Sequence, residues 1–121
     1  LKPINLDAER DWSYAPDVVQ GAWLMLQARD PDDFILASGE AHSVREFAEL
    51  AFKTAGLSIE GRIKQSPDLM RPTDINRIVG IPDKIGRVLG WKPSVGFKDM
   101  VTKMVHNDIA NIERNRPVRA G

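Results

Sequence analysis

Ser43-Val44-Arg45-Glu46 is where this chain has the least conformational freedom. A serine followed three residues later by a glutamate lets each side chain satisfy a backbone amide at the other's position, the reciprocal capping box that opens a helix. The apolar residues behind it, Val44, Phe47, Ala48, Ala51, Phe52 and Ala55, keep helical spacing, and Gly56 supplies a left-handed stop. A helix is therefore expected here, with one apolar face that has to be covered.

The rest of the chain is placed by the same logic. Residues 1–12 alternate loosely and include a proline, so they predict an irregular strand or loop ending in Asp7-Ala8-Glu9-Arg10-Asp11-Trp12. Pro16 pre-sets a first helical turn, and Asp17 is well placed against that helix's N-terminal dipole. Val19, Ala22, Trp23 and Leu26 then fall on one stripe that needs something to pack on. Arg29-Asp30-Pro31-Asp32-Asp33 is a turn, and Phe34-Ile35-Leu36-Ala37, bounded by turn residues, predicts a short buried strand. Residues 57–65 predict an edge strand, residues 75–79 another short strand, and residues 82–89 a short helix stopped by Gly90. The last helix is expected over 97–112, with Met100, Val101, Met104, Val105, Ile109 and Ile112 on its buried face; residues 113–121 are expected to fray. The sum is a mixed α/β unit with too few strands for a covered sheet. Two striped helices imply that a larger sheet lies elsewhere.

The 121 residues carry 17 basic and 17 acidic side chains, so no net field draws the chain to nucleic acid or an anionic membrane. Any anion must be met by a local pair of arginines. Arg10, flanked by acids and backed by Trp12, and Arg71, fixed beside Pro72, suit a diphosphate, because guanidinium forks match phosphate oxygens two at a time. Asp74 is then placed to accept from a sugar or ribose hydroxyl. The plainer alternative is that Arg10 pairs with Asp7 or Asp11 and Arg71 faces water.

Other chemistry is poorly supported by these residues. There is no cysteine, which excludes disulfides, thiolate metal sites and a cysteine nucleophile and fits a reducing compartment. His42 and His106 fall short of the three or four ligands zinc requires and are expected to be solvated. Ser43 is explained by its cap, and Tyr14 is followed four positions on by Val18, not by a lysine that would lower its pKa. No glycine-rich phosphate loop occurs, so no cofactor is expected on this segment and no catalytic residue is assigned. The longest apolar runs are far short of the roughly 20 residues that span a bilayer. No signal peptide opens the chain, and a start at Leu1 reads as a fragment or processed product.

Asn5-Leu6-Asp7-Ala8-Glu9-Arg10-Asp11-Trp12, Trp23-Leu24-Met25-Leu26-Gln27, the block from Pro31 through Ser43 to Phe47, Arg71-Pro72-Thr73-Asp74 and Leu89-Gly90-Trp91-Lys92-Pro93 follow one another in a telling order. Together they resemble the C-terminal third of the GDP-mannose 4,6-dehydratases, extended short-chain dehydrogenases/reductases of the NAD(P)-dependent epimerase/dehydratase group. The resemblance implies the mixed α/β substrate-binding part of such an enzyme, spanning residues 1–121, with the Rossmann nucleotide-binding domain missing. In that family NADP removes hydride from the mannose C4, water is lost between C5 and C6, and hydride returns at C6.

By the resemblance, Arg10 and Arg71 lie near the diphosphate and nucleoside of GDP-mannose, and Asp74 stands for a glutamate one methylene longer. NADP belongs to the full-length enzyme and not to this segment, which alone is expected to be inactive. A cytoplasmic setting and a homo-oligomer are the corresponding expectations. Departures from the family pattern include Ile4 for a glycine, Ile81 for a capping aspartate and Gly96 for a serine or threonine. Rival assignments are another nucleotide-sugar dehydratase, epimerase or reductase, a self-associating interaction module using the exposed stripes near Trp23 and Phe47, and a weak helix-turn-helix DNA reader after Ser43.

Overall fold

A computed structural model of the chain describes residues 5–63 and 76–115. Its best-determined start is the helix α2, Val44–Thr54, whose first three amides each find a partner. Val44 N donates to the Ala8 carbonyl at 3.1 Å, Arg45 N to the Leu6 carbonyl at 2.9 Å, and Glu46 N to Ser43 Oγ at 3.0 Å. In return Ser43 N donates to Glu46 Oε2 at 2.7 Å, completing the capping box. At the other end Gly56, at φ 69°, turns the chain so that its amide reaches the Lys53 carbonyl and Leu57 N the Phe52 carbonyl. Replacing Ser43 by alanine is expected to lower stability by about 1 kcal/mol, with threonine retaining most of it. Urea melts of the two variants check this, and equal loss in both would mean the hydroxyl is not what matters.

Around α2 the elements run β1 (Glu9–Asp11), α1 (Ala15–Gln27), β2 (Ala41–Ser43), α2, α3 (Asp83–Leu89) and α4 (Phe97–Arg114). The helices expected from capping and stop signals are all present. Pro16 opens α1, Gly90 ends α3 at φ 68°, and α4 carries on through Glu113 and Arg114, two positions expected in the frayed tail. β1 and β2 form a two-stranded antiparallel sheet with Arg10 opposite His42.

The strands depart furthest from the sequence pattern. Phe34-Ile35-Leu36-Ala37 is not a strand: no ladder forms on it among the described residues, and Ile35 is exposed. It packs by side chains alone, Leu36 towards Gly21 of α1 and Ala37 towards Gly80. Residues 57–63 form turns around Gly61 instead of an edge strand, while residues 64 and 65 lie outside the described residues. Of the 75–79 candidate, residue 75 lies outside the described residues, and residues 76–79 make one isolated parallel bridge, Glu9 to Arg77. β2 carries no alternation that would reveal it, and it forms because β1 supplies the partner.

Among the described residues the buried apolar core is small: Leu6, Ala8, Ala37, Ile85, Trp91, Met100 and Val101. On α4 only Met100 and Val101 of the expected face are buried, while Met104 and Ile112 are exposed. The two apolar stripes fare differently. Phe47 of α2 is covered by Trp12 at 4.9 Å and Phe97 at 6.0 Å between ring centroids. On α1 the stripe stays bare, with Val19 68%, Trp23 59% and Leu26 82% exposed.

Candidate functional site

β1 lies between two segments. Along one edge it pairs with β2; along the other, Glu9 N donates to the Asn76 carbonyl at 2.8 Å and Ile78 N to the Glu9 carbonyl at 3.1 Å. Arg10 therefore sits in the middle strand of a three-segment hub. Its guanidinium Nη1 donates to the Glu9 carbonyl at 2.8 Å, which folds the half-buried side chain along its own strand.

The acids around Arg10 are engaged elsewhere. Asp7 Oδ1 accepts from Arg45 Nε at 3.1 Å and Nη2 at 2.9 Å, and Glu9 faces Arg77 Nε at 3.3 Å. Asp11 binds backbone: Oδ1 accepts from Ser38 N at 2.8 Å and Ser13 Oγ at 3.3 Å, and Oδ2 from Gly39 N at 3.0 Å and Gly80 N at 3.2 Å. Asp7 thus binds Arg45, and Asp11 binds chiefly backbone amides. Arg71 and Asp74 lie outside the described residues; the segment that follows them enters the hub at Asn76, two positions after Asp74.

Burial pushes the Asp11 carboxyl up, but the hydrogen bonds from Ser38, Gly80 and Gly39 outweigh it and hold the group below its ordinary value. A carboxylate fixed in this way stays ionised and cannot act as a proton donor near neutral pH.

Beneath the hub runs a row of rings. Trp12 Nε1 donates to the His42 carbonyl at 3.0 Å, its ring tilts against Phe47, and the His42 imidazole stacks on Phe97 at 3.9 Å. Contrary to the expectation of a solvated side chain, His42 is half-buried, with Glu40 and Glu46 each 3.5 Å from its ring nitrogens. The correction follows from β2, which aims the imidazole at the start of α4. His106 is exposed, as expected. Among the described residues no group of three or more potential ligands could hold a metal ion.

The N-terminus of α2 is not an anion site either, since its free amides are already taken by Leu6, Ala8 and Ser43. Gly39, Gly56, Gly61 and Gly90 use their positive φ to close separate turns and do not line one loop. A dinucleotide therefore finds no phosphate cradle in the described residues. No second helix follows α2 as far as residue 63, so the described part of a helix-turn-helix is not built. No helix among the described residues is long and apolar enough to cross a membrane.

Two positions matter more than the sequence pattern indicates. In the sequence Asp11 is only a neighbour of Arg10, and Asp17 only a dipole partner. Asp17 is in fact buried and accepts from Ser94 N at 2.9 Å, Val95 N at 3.1 Å and Ser94 Oγ at 2.5 Å, while its carbonyl takes Trp91 Nε1 at 2.8 Å. No local signal reports such contacts.

Known proteins are similar to this chain in sequence and in fold. A family model described as GDP-mannose 4,6 dehydratase matches residues 2–104. GDP-mannose 4,6 dehydratase 1 of Arabidopsis thaliana is 38% identical over 112 residues, covering 93% of this chain and 31% of the relative. The human GDP-mannose 4,6 dehydratase is 40% identical over 128 residues, covering 92% and 34%. Among solved structures, a Thermus thermophilus UDP-glucose 4-epimerase in complex with NAD superimposes with a TM-score of 0.72 at 30% identity, over 87% of this chain and 32% of that one. The chain spans about a third of the length of the relatives it matches.

Proposed function

This chain belongs to the GDP-mannose 4,6 dehydratase family, and we propose that it is the nucleotide-sugar-binding C-terminal region of an enzyme converting GDP-mannose to GDP-4-keto-6-deoxymannose. Its mixed α/β fold is shared with an epimerase of the same superfamily. The observation that carries the proposal is the position of Arg10 in the middle strand of the hub, beside the segment that enters it at Asn76. Arg10 and Arg71 would grip the diphosphate and Asp74 a sugar or ribose hydroxyl. Grip on the remote nucleotide is what holds a reacting sugar in place for chemistry supplied elsewhere.

By the same proposal NADP binds in the part of the longer relatives that this chain does not span, and the hydride chemistry is supplied there. The bare α1 stripe of Val19, Trp23 and Leu26 supports that organisation, since an apolar helix face is stable only when covered. Homo-oligomerisation and a cytoplasmic setting are part of the same proposal.

The test is a calorimetric titration of the chain with GDP and with UDP. GDP is expected to bind, and Arg10→Ala to weaken it about tenfold, on the order of 1.4 kcal/mol. Arg10→Lys should fall between, because an ammonium cannot form the paired contacts. GDP affinity indifferent to Arg10 would remove the proposal. A self-associating module rests on the α1 stripe alone; size that grows with concentration, without any response to GDP, would favour it.

A further inference from the structure

α2 and α4 lie side by side and point the same way. Phe47, in the first turn of α2, meets Phe97, the first residue of α4, at 6.0 Å between ring centroids. Towards their other ends Phe52 and Ala55 face Val105, Ile109 and Ile112. The rings that fill the space between the helices at their start give way there to an alanine, and a groove of about 210 Å³ stays open.

Its size and its charge both restrict what it can hold. An apolar cavity of about 150 Å³ is enough for benzene, so this one takes a single ring or a branched alkyl group. Two chains held together need roughly 800 Å² of surface each, far more than one such groove offers. Among the described residues Asp108 is the only charged side chain on its wall, and no hydrogen bond or ion pair there engages it. Because the helices are parallel, both also turn the negative end of their dipole this way. Lys53 and Arg114, the basic residues of the two last turns, do not line the groove, and Arg114 Nη2 donates instead to Asn111 Oδ1 at 3.3 Å.

From size and charge together we propose that this groove is a binding site for a small organic cation, a single ring or branched alkyl group that carries a primary ammonium. The apolar part rests against Phe52, Val105 and Ile109, and the ammonium faces Asp108. The site lies at the opposite end of α2 from the amides that bind Leu6 and Ala8, and it does not depend on the diphosphate assignment.

The probe is benzylammonium, with benzyl alcohol and benzoate as its neutral and anionic counterparts. Each is titrated into the 121-residue chain at low salt and followed by amide chemical shifts. Benzylammonium is expected to bind in the millimolar range, to shift the amides of residues 51–57 and 105–112, and to be preferred about fivefold over benzyl alcohol. Benzoate should bind more weakly than either. Asp108→Asn should abolish the preference while leaving benzyl alcohol unchanged. Asp99→Asn removes a carboxylate from the first turn of the same helix and should leave the preference intact.

Shifts outside these two stretches, or none, would remove the site. Equal binding of the three probes, or a preference that survives Asp108→Asn or is lost equally in Asp99→Asn, would remove the cation. Should the groove amides shift with protein concentration alone, the occupant is a second copy of the chain and the proposal falls.

Discussion

Replacing Asp17 by alanine is expected to destabilise the chain by about 4 kcal/mol. Asp17 is only 4% exposed, and its two oxygens serve Ser94 N, Val95 N and Ser94 Oγ. Removing them strands two backbone amides beside the buried Trp91 ring, each unmet donor costing about 1–3 kcal/mol. Asp17→Asn keeps one acceptor oxygen but turns an NH₂ group towards donors, so about half the loss is expected. Domains of this size are only marginally stable, so the alanine variant should be largely unfolded in circular dichroism at room temperature. A variant within about 1 kcal/mol of the parent would mean that water replaces the carboxylate, and that the clamp does not join α1 to the 91–95 bend.

The same group sets an acid limit. Burial raises the Asp17 carboxyl, but the Ser94 hydroxyl and the Ser94 and Val95 amides lower it further, so its folded value lies below the ordinary 3.8. Asp11 is shifted the same way. A depressed folded value means the unfolded chain takes up the proton first. The stabilisation is therefore fully present above the unfolded value and is lost as pH falls below about 3.8 through the folded one. Urea midpoints should drop over that range in the parent and drop less in Asp17→Asn.

Gly80→Ala is expected to lose about 3 kcal/mol by overpacking. A Cβ at 80 would run into Ala37 Cβ and lie 3.0 Å from Ile35 Cγ2. Ala37 Cβ has no torsion with which to retreat, so the 34–37 segment and residues 78–80 must separate, pulling Gly80 N from Asp11 Oδ2. Gly21 provides a partial contrast: there the hardest clash is with Leu36 Cδ2, the end of a rotatable side chain, but the buried Trp91 Nε1 also lies 3.0 Å away, and about 2 kcal/mol is expected. Ala37→Gly in the Gly80→Ala background should restore much of the stability by emptying the contested space. If thermal melts show no rescue, the loss arises elsewhere than at this contact.

The sequence by itself determined the helices. Ser43 and Glu46 are three residues apart, Gly56 and Gly90 act on the turn they close, and Pro16 fixes its own φ, so each signal and its effect lie within one turn. The order of the motif blocks also placed the family. Only the tertiary structure decided which stripe is covered: Trp12 and Phe97 reach Phe47, while nothing among the described residues reaches the outer face of α1.

Strands, too, were decided at long range. Phe34-Ile35-Leu36-Ala37 has strand composition and no ladder, whereas Ala41-His42-Ser43 lacks the pattern and pairs, because a strand exists only by virtue of the backbone beside it. Asp11 and Asp17 look like ordinary surface acids in the sequence, yet their partners lie 69 and 77 residues away at Gly80 and Ser94. A carboxylate's role is set by the donors that folding brings to it. Periodicity records which face is apolar and cannot record where those donors will be.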